Sequence, residues 1–157
     1  MRIEQFLTDK AASHPQKVAL VTDRRRLRYA ELDDLSSRLA NALAGNGVKR
    51  NDRVLIFMDN CWEAAVSIFA VMKAGATFSP INASTKADKL AFILADCEAS
   101  AILTQAKLMP VVTEAIAGKP PIFVASTVAP SGQSPAGAVS FTDCLATERR
   151  EVDHHGI

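Results

Sequence analysis

The sequence predicts an α/β protein built on a mainly parallel, doubly wound sheet flanked by helices and preceded by a β-hairpin. Three observations carry that expectation. Short apolar runs alternate with amphipathic segments of helical length across residues 30 to 126, the pattern of βα units joined by right-handed crossovers. The run RVLIFM at 53–58 is apolar without interruption after its arginine, as a strand covered on both faces requires. The stretch VMKAGATFSPIN at 71–82 leaves a helical pattern through Gly75 and enters a short apolar run that reaches Pro80, a helix stop followed by a strand.

The elements follow in order. VALV at 18–21 and LRY at 27–29 flank the polar turn TDRRR and predict an antiparallel hairpin, with Arg24, Arg25 and Arg26 in a solvated turn. AELDDLSSRLANALAGNG places Leu32, Leu35, Leu39 and Leu43 on one helical face. Glu31, Asp33 and Asp34 fall in its first turn, where the helix dipole favours negative charge, and Gly45 or Gly47 can end it in the left-handed conformation. After the strand at 53–58, Asn60 is expected to cap a helix with Glu63 as its capping-box partner, burying Trp62, Ala65, Val66, Phe69 and Ala70. Gly75 stops that helix and ATFS, 76–79, is the next strand. A helix over about 85–96 turns Leu90, Ile93 and Leu94 inward. A strand at 100–104, a helix across 107–117 and a strand at 121–126 complete the alternation.

After Ser126 the pattern changes. TVAPSGQSPAGAV is rich in Pro, Gly, Ser and Ala and reads as a surface loop or linker. SFTDCLAT predicts a short helix capped by Ser140, and ERREVDHHGI reads as a connecting tail. The expected division is therefore an α/β sub-domain over 1–126 and a linker, short helix and tail over 127–157.

Composition bounds the function classes. A chain of 157 residues with 48% hydrophobic and 22% charged residues and a net charge of +1 is long enough for a substantial core. It lacks the basic excess that nucleic-acid or membrane-surface binding needs. No signal peptide or membrane-spanning run is visible, so a cytoplasmic setting is expected. Cys61, Cys97 and Cys144 are odd in number and widely spaced, which fits reduced, structural thiols better than a disulfide framework or zinc site. There is no GxSxG elbow, no GxGxxG and no GxxxxGK loop. The serine- and glycine-containing loop after residue 126 is not a phosphate cradle, since no lysine follows Lys119 to neutralise a phosphate. His154 and His155, beside Asp153, are adjacent and point apart, which does not make a metal site. No catalytic, cofactor-binding or metal-ligating residue is assigned.

Three blocks carry a family resemblance. LRYAEL at 27–32, NCWE at 60–63 and above all MKAGATFSPIN at 72–82 resemble the first blocks of the AMP-forming adenylate synthetases. That superfamily contains acyl-CoA synthetases, peptide-synthetase adenylation domains and firefly luciferase. The opening FLTDKAASHPQKVALV is similar to that family's usual N-terminus. The resemblance implies a ligase that uses ATP and Mg²⁺ to convert a carboxylic acid to an acyl-adenylate. It then passes the acyl group to coenzyme A or a carrier-protein pantetheine. It also implies that the phosphate loop, nucleotide contacts, metal-binding glutamate and catalytic lysine lie downstream of the matched region. The expectation is thus the N-terminal portion of such an enzyme, inactive alone, without a cofactor of its own. Its expected partner is the remainder of the synthetase, fused or separate, and an exposed apolar face would favour self-association. The alternative is an independent, non-catalytic flavodoxin-like binding or interaction module.

Overall fold

The structure, a computed structural model, describes residues 2–149. Helix α1 (Ile3–Ser13) precedes an antiparallel hairpin of β1 (Val18–Val21) and β2 (Arg26–Arg28), and α2 (Tyr29–Gly45) follows directly. The chain continues through β3 (Arg53–Phe57), α3 (Trp62–Lys73), β4 (Thr77–Ile81), α4 (Ala87–Asp96) and β5 (Ala101–Thr104). A short 3₁₀ turn then leads into α5 (Met109–Ile116), β6 (Phe123–Ser126), β7 (Val139–Ser140) and α6 (Phe141–Leu145). Strands β3 to β7 form one sheet in the order β4-β3-β5-β6-β7, every neighbouring pair parallel. The expected α/β architecture with its N-terminal hairpin is therefore present.

Alternation along β3 sorts the core into two layers. Val54 and Ile56 join Ala101, Leu103 and Ala125 on the face covered by α1, α2, α3 and α6. Leu55 and Phe57 join Ile102 and Val124 on the face covered by α4 and α5, against Leu90, Leu94, Met109 and Val112. Successive side chains of a strand point to opposite faces, so a strand covered on both sides must be apolar at every position. Each fully buried aliphatic or aromatic side chain contributes roughly 1.5–3 kcal/mol relative to exposure. Within α3 no residue is exposed.

Two glycines end helices by the same device. Gly47, at φ 90°, donates to the Ala44 carbonyl while Val48 donates to Leu43, both at 3.1 Å. Gly75, at φ 75°, donates to Met72 at 2.9 Å while Ala76 donates to Val71 at 3.0 Å. These paired bonds satisfy the last helical carbonyls and need a left-handed residue that glycine adopts without strain. Gly47, rather than Gly45, takes this role in α2.

Strand β4 runs through Pro80 to Ile81 instead of stopping at residue 79. The Thr77 N–H donates to Asp52 at 2.8 Å, so in this edge strand Thr77, Ser79 and Ile81 face β3, while Phe78 and Pro80 face away. Proline's missing donor thus falls on the unpaired side, and its presence there disfavours addition of another strand.

Several local expectations are corrected. Tyr29 starts α2 instead of ending β2, and Cys61, not Asn60, is the N-cap residue of α3, with no side-chain cap bond. Asn60 and Glu63 therefore do not form a capping box. Leu35, Trp62, Ala65, Phe69 and Ile93 are only half-buried, as are Cys61 and Cys97, whereas Cys144 is buried. Ser140 caps α6 as expected, its Oγ accepting from the Asp143 N–H at 3.4 Å. Beyond that, β7 pairs with β6, and Phe141 and Cys144 enter the first core layer. Asp153, His154 and His155 lie outside the described residues. Among the described residues no helix is long and apolar enough to cross a membrane.

Candidate functional site

After β3 the chain turns to α3 on one face, and after β5 it turns to α5 on the other. The two loops diverge at the C-terminal ends of neighbouring strands, the place where open α/β sheets form ligand crevices. Here the crevice measures about 590 Å³. It is lined by Asp23 and Arg24 of the hairpin turn, residues 59–63 after β3, 105–107 after β5 and 127–130 after β6.

Gln105 ties the two diverging loops together. Its Oε1 accepts from the Asp59 N–H at 2.9 Å, and its Nε2 lies 3.7 Å from Cys61 Sγ. Across the mouth, Lys107 Nζ pairs with the Asp59 carboxylate. The Ala106 N–H donates to Thr127 Oγ1 at 3.1 Å, which fixes the third wall. The Arg25 guanidinium lies 4.4 Å from the Trp62 ring centroid, and Trp62 meets Phe141 edge-on at 6.4 Å. Arg25 is therefore not simply a solvated turn residue: its cation–π contact pins the hairpin to the start of α3.

Cys61 sits at that helix start, where a thiolate would normally be favoured. Burial instead pushes its thiol up to about 11, with Glu63 adding a smaller push in the same direction. A thiol raised to that value is protonated at neutral pH. Burial likewise raises Cys144 to about 11 and raises Cys97. Every buried side-chain nitrogen or oxygen among the described residues has a hydrogen-bond partner.

A second polar centre lies behind the crevice, between α1, α2 and α3. Lys73 Nζ donates to Asp33 Oδ1 at 2.7 Å, to the Asp33 carbonyl at 2.8 Å and to Ser37 Oγ at 2.9 Å. Thr8 Oγ1 donates to Asp33 Oδ1 at 3.0 Å and Arg149 Nη2 to Asp33 Oδ2 at 2.7 Å. Because α2 begins at Tyr29, of the three acids only Glu31 lies in its first turn, and Asp33 is a buried ion-pair residue beyond it. Burial pushes its carboxyl up, but the Lys73 bond and charge, Thr8 and Arg149 together hold it below the ordinary carboxylate value. Burial lowers Lys73, working against its attraction to Asp33. The centre joins the segment after LRYAEL to the MKAG block through bonds among Asp33, Lys73, Ser37 and Thr8, so it is an architectural site.

Comparison with known proteins identifies the family. The family model described as "AMP-binding enzyme" matches residues 7–151. This chain belongs to the AMP-binding enzyme family. Tyrocidine synthase 1 from Brevibacillus parabrevis is 36% identical over 103 residues, which is 66% of this chain and 10% of that protein. A benzoate CoA ligase from Burkholderia xenovorans LB400 shares the fold at a TM-score of 0.85 and 20% identity, over 99% of this chain and 31% of that one. An anthranilate CoA ligase solved with anthranoyl-AMP gives a TM-score of 0.86 at 21% identity, over 96% of this chain and 30% of that one. The chain therefore spans a small part of these relatives' length.

The family's nucleotide chemistry can be tested against the crevice. A Mg²⁺–triphosphate needs several converging cations and N–H donors. Asp23, Asp59 and Glu63 line the crevice against Arg24 and Lys107, and Lys107 is engaged by Asp59. No group of three His, Cys, Asp or Glu that could hold a metal ion occurs among the described residues. Among the described residues, the side chains lining the crevice do not fit the metal–triphosphate group. Gln105, Asp59 and Lys107 carry no motif and do not stand out in the sequence, and although Lys73 lies in the MKAG block, no local pattern pairs it with Asp33. For the first three, the rule placing ligand crevices just after the strands at a switch point would have found them.

Proposed function

We propose that this chain is the N-terminal portion of an AMP-forming acid–thiol ligase. The whole enzyme activates a carboxylic acid with ATP to an acyl-adenylate and transfers the acyl group to a thiol. The reading rests on the match of an AMP-binding family model to residues 7–151, on a fold whose crevice lacks the donor set for a triphosphate. The acceptor is coenzyme A or a carrier-protein pantetheine: the likeness in sequence is to peptide synthases and the likeness in fold to CoA ligases. In this reading residues 1–126 form most of the α/β sub-domain, β7 and α6 complete its sheet and core, and the rest of 127–157 links it to the remainder of the synthetase, which supplies the phosphate loop, the metal ligands and the catalytic lysine. Its setting in this reading is the cytoplasm.

In this reading the chain builds one wall of the enzyme and performs no step alone. Residues 1–157 are expected to give no acid-dependent exchange of pyrophosphate into ATP with a panel of aliphatic, aromatic and amino acids. Robust exchange by the isolated chain would overturn this reading. The coding sequence after codon 157 supplies an independent arm. An in-frame continuation encoding a Ser/Thr/Gly-rich loop ending in lysine supports the ligase reading. A stop codon followed by an unrelated gene favours an independent module.

A further inference from the structure

Helix α2 carries a row of polar side chains that hold residues 147–149 of the same chain, away from the crevice. Arg38 Nη1 donates to the Thr147 carbonyl at 3.2 Å and Asn41 Nδ2 donates to the Glu148 carbonyl at 2.9 Å. Arg149 answers in the other direction. Its Nη2 donates to Asp33 Oδ2 at 2.7 Å and its Nη1 lies 3.7 Å from Asp34 Oδ1. Residues 34, 38 and 41 follow the i, i+4, i+7 spacing of one helical face. Two of the contacts read backbone carbonyls, which any residue presents. The third reads a guanidinium through two carboxylates, which only arginine matches well.

We propose that this face of α2 is a docking surface for a segment bearing an arginine, with Thr147–Arg149 as its occupant. The arginine's bond to Asp33 couples the docked segment to the packing of α1 against α2 and α3. The coupling runs through one carboxylate. Asp33 Oδ1 takes Lys73 and Thr8, while Oδ2 takes Arg149. The Asp33 side chain is 4% exposed, so removal of Arg149 leaves a buried carboxylate oxygen short of a donor, a costly state that the neighbouring elements must adjust to relieve. Arg149 is 47% exposed, so its own release is open to water and salt. Salt therefore loosens the segment while the dry Lys73–Asp33 bond persists.

The test uses the full 157-residue chain and a glutamyl endopeptidase that cleaves after Glu148, whose carbonyl Asn41 holds. Each rate is divided by that of a free peptide with the same local sequence. R149Q is expected to raise the normalised rate about tenfold, as the loss of one charge-assisted bond implies. R149K, which keeps the charge but not the fork, is expected to fall between. The wild-type rate should climb from about 0.05 to 0.5 M salt, and the R149Q rate should not. Amide exchange in α1 around Thr8 should quicken in R149Q as well. Equal normalised rates in wild type and R149Q, or a salt-insensitive wild type, would overturn the docking surface. A released segment with unchanged exchange in α1 would overturn the coupling.

Discussion

Two Asp–Lys pairs in this chain share their chemistry and differ in their surroundings. Asp33 and Lys73 join α2 to α3 with side chains 4% and 9% exposed. Asp59 and Lys107 cross the mouth of the crevice with 45% and 63% exposed. The first pair is also bonded to Thr8, Ser37 and Arg149, so its charges are fully accounted for inside the protein. The second is solvated, and water replaces either partner at little cost. Identical residue types therefore specify helix packing in one place and only trim a crevice in the other. What separates them is the cost of removing a charge from water, large for the inner pair and small for the outer.

Breaking the inner pair from one side is the strongest test. Lys73→Ala is expected to destabilise the chain by about 3–5 kcal/mol in chemical denaturation, because it takes from the buried Asp33 carboxylate its one buried cation and leaves it only Thr8 and the half-exposed Arg149. The double variant Asp33→Leu/Lys73→Met removes both charges and is expected to recover more than half of that loss. A double variant as unstable as Lys73→Ala would show that shape, not charge, dominates there.

Acid sharpens the same contrast. The folded Asp33 carboxyl sits below its ordinary value of 3.8, so the folded state favours its ionised form. The resulting stability is present above 3.8 and is lost as pH falls through the lower folded value. Denaturation midpoints between about pH 6 and pH 2 should fall more steeply in wild type than in Asp33→Asn. Parallel acid limbs in the two proteins would count against a depressed Asp33.

The smallest effect belongs to the outer pair. Lys107→Ala should cost about 0.2–1 kcal/mol, and less at high salt. A loss of several kcal/mol would mean that the crevice mouth is a structural element and would erase the distinction between the two pairs.

The legible part of the molecule is the part written in local periodicity. The apolar runs VLIF at 54–57 and AIL at 101–103 fall in the two central strands, buried on both faces. Gly75 ends α3 because a left-handed residue is needed where it stands. Helix α1 carried no such signal, since Leu7 is its single buried residue and leaves no stripe to read. The family too was legible, because its blocks sit at turns and helix ends whose residue choices are locally constrained.

What only the tertiary structure decided are the contacts between residues far apart in the chain. Asp33 looked like a first-turn acid until Lys73, 40 residues on, met it across the α2–α3 interface. Arg25 looked solvated until the hairpin folded over Trp62. Gln105 and Asp59 are ordinary loop residues in the sequence and become crevice partners because β3 and β5 are neighbours in the sheet. Periodicity is a local property imposed by backbone geometry, and one strand of sequence displays it. The pairing of polar side chains depends on which elements pack together, and on the desolvation that packing imposes, which no local pattern encodes.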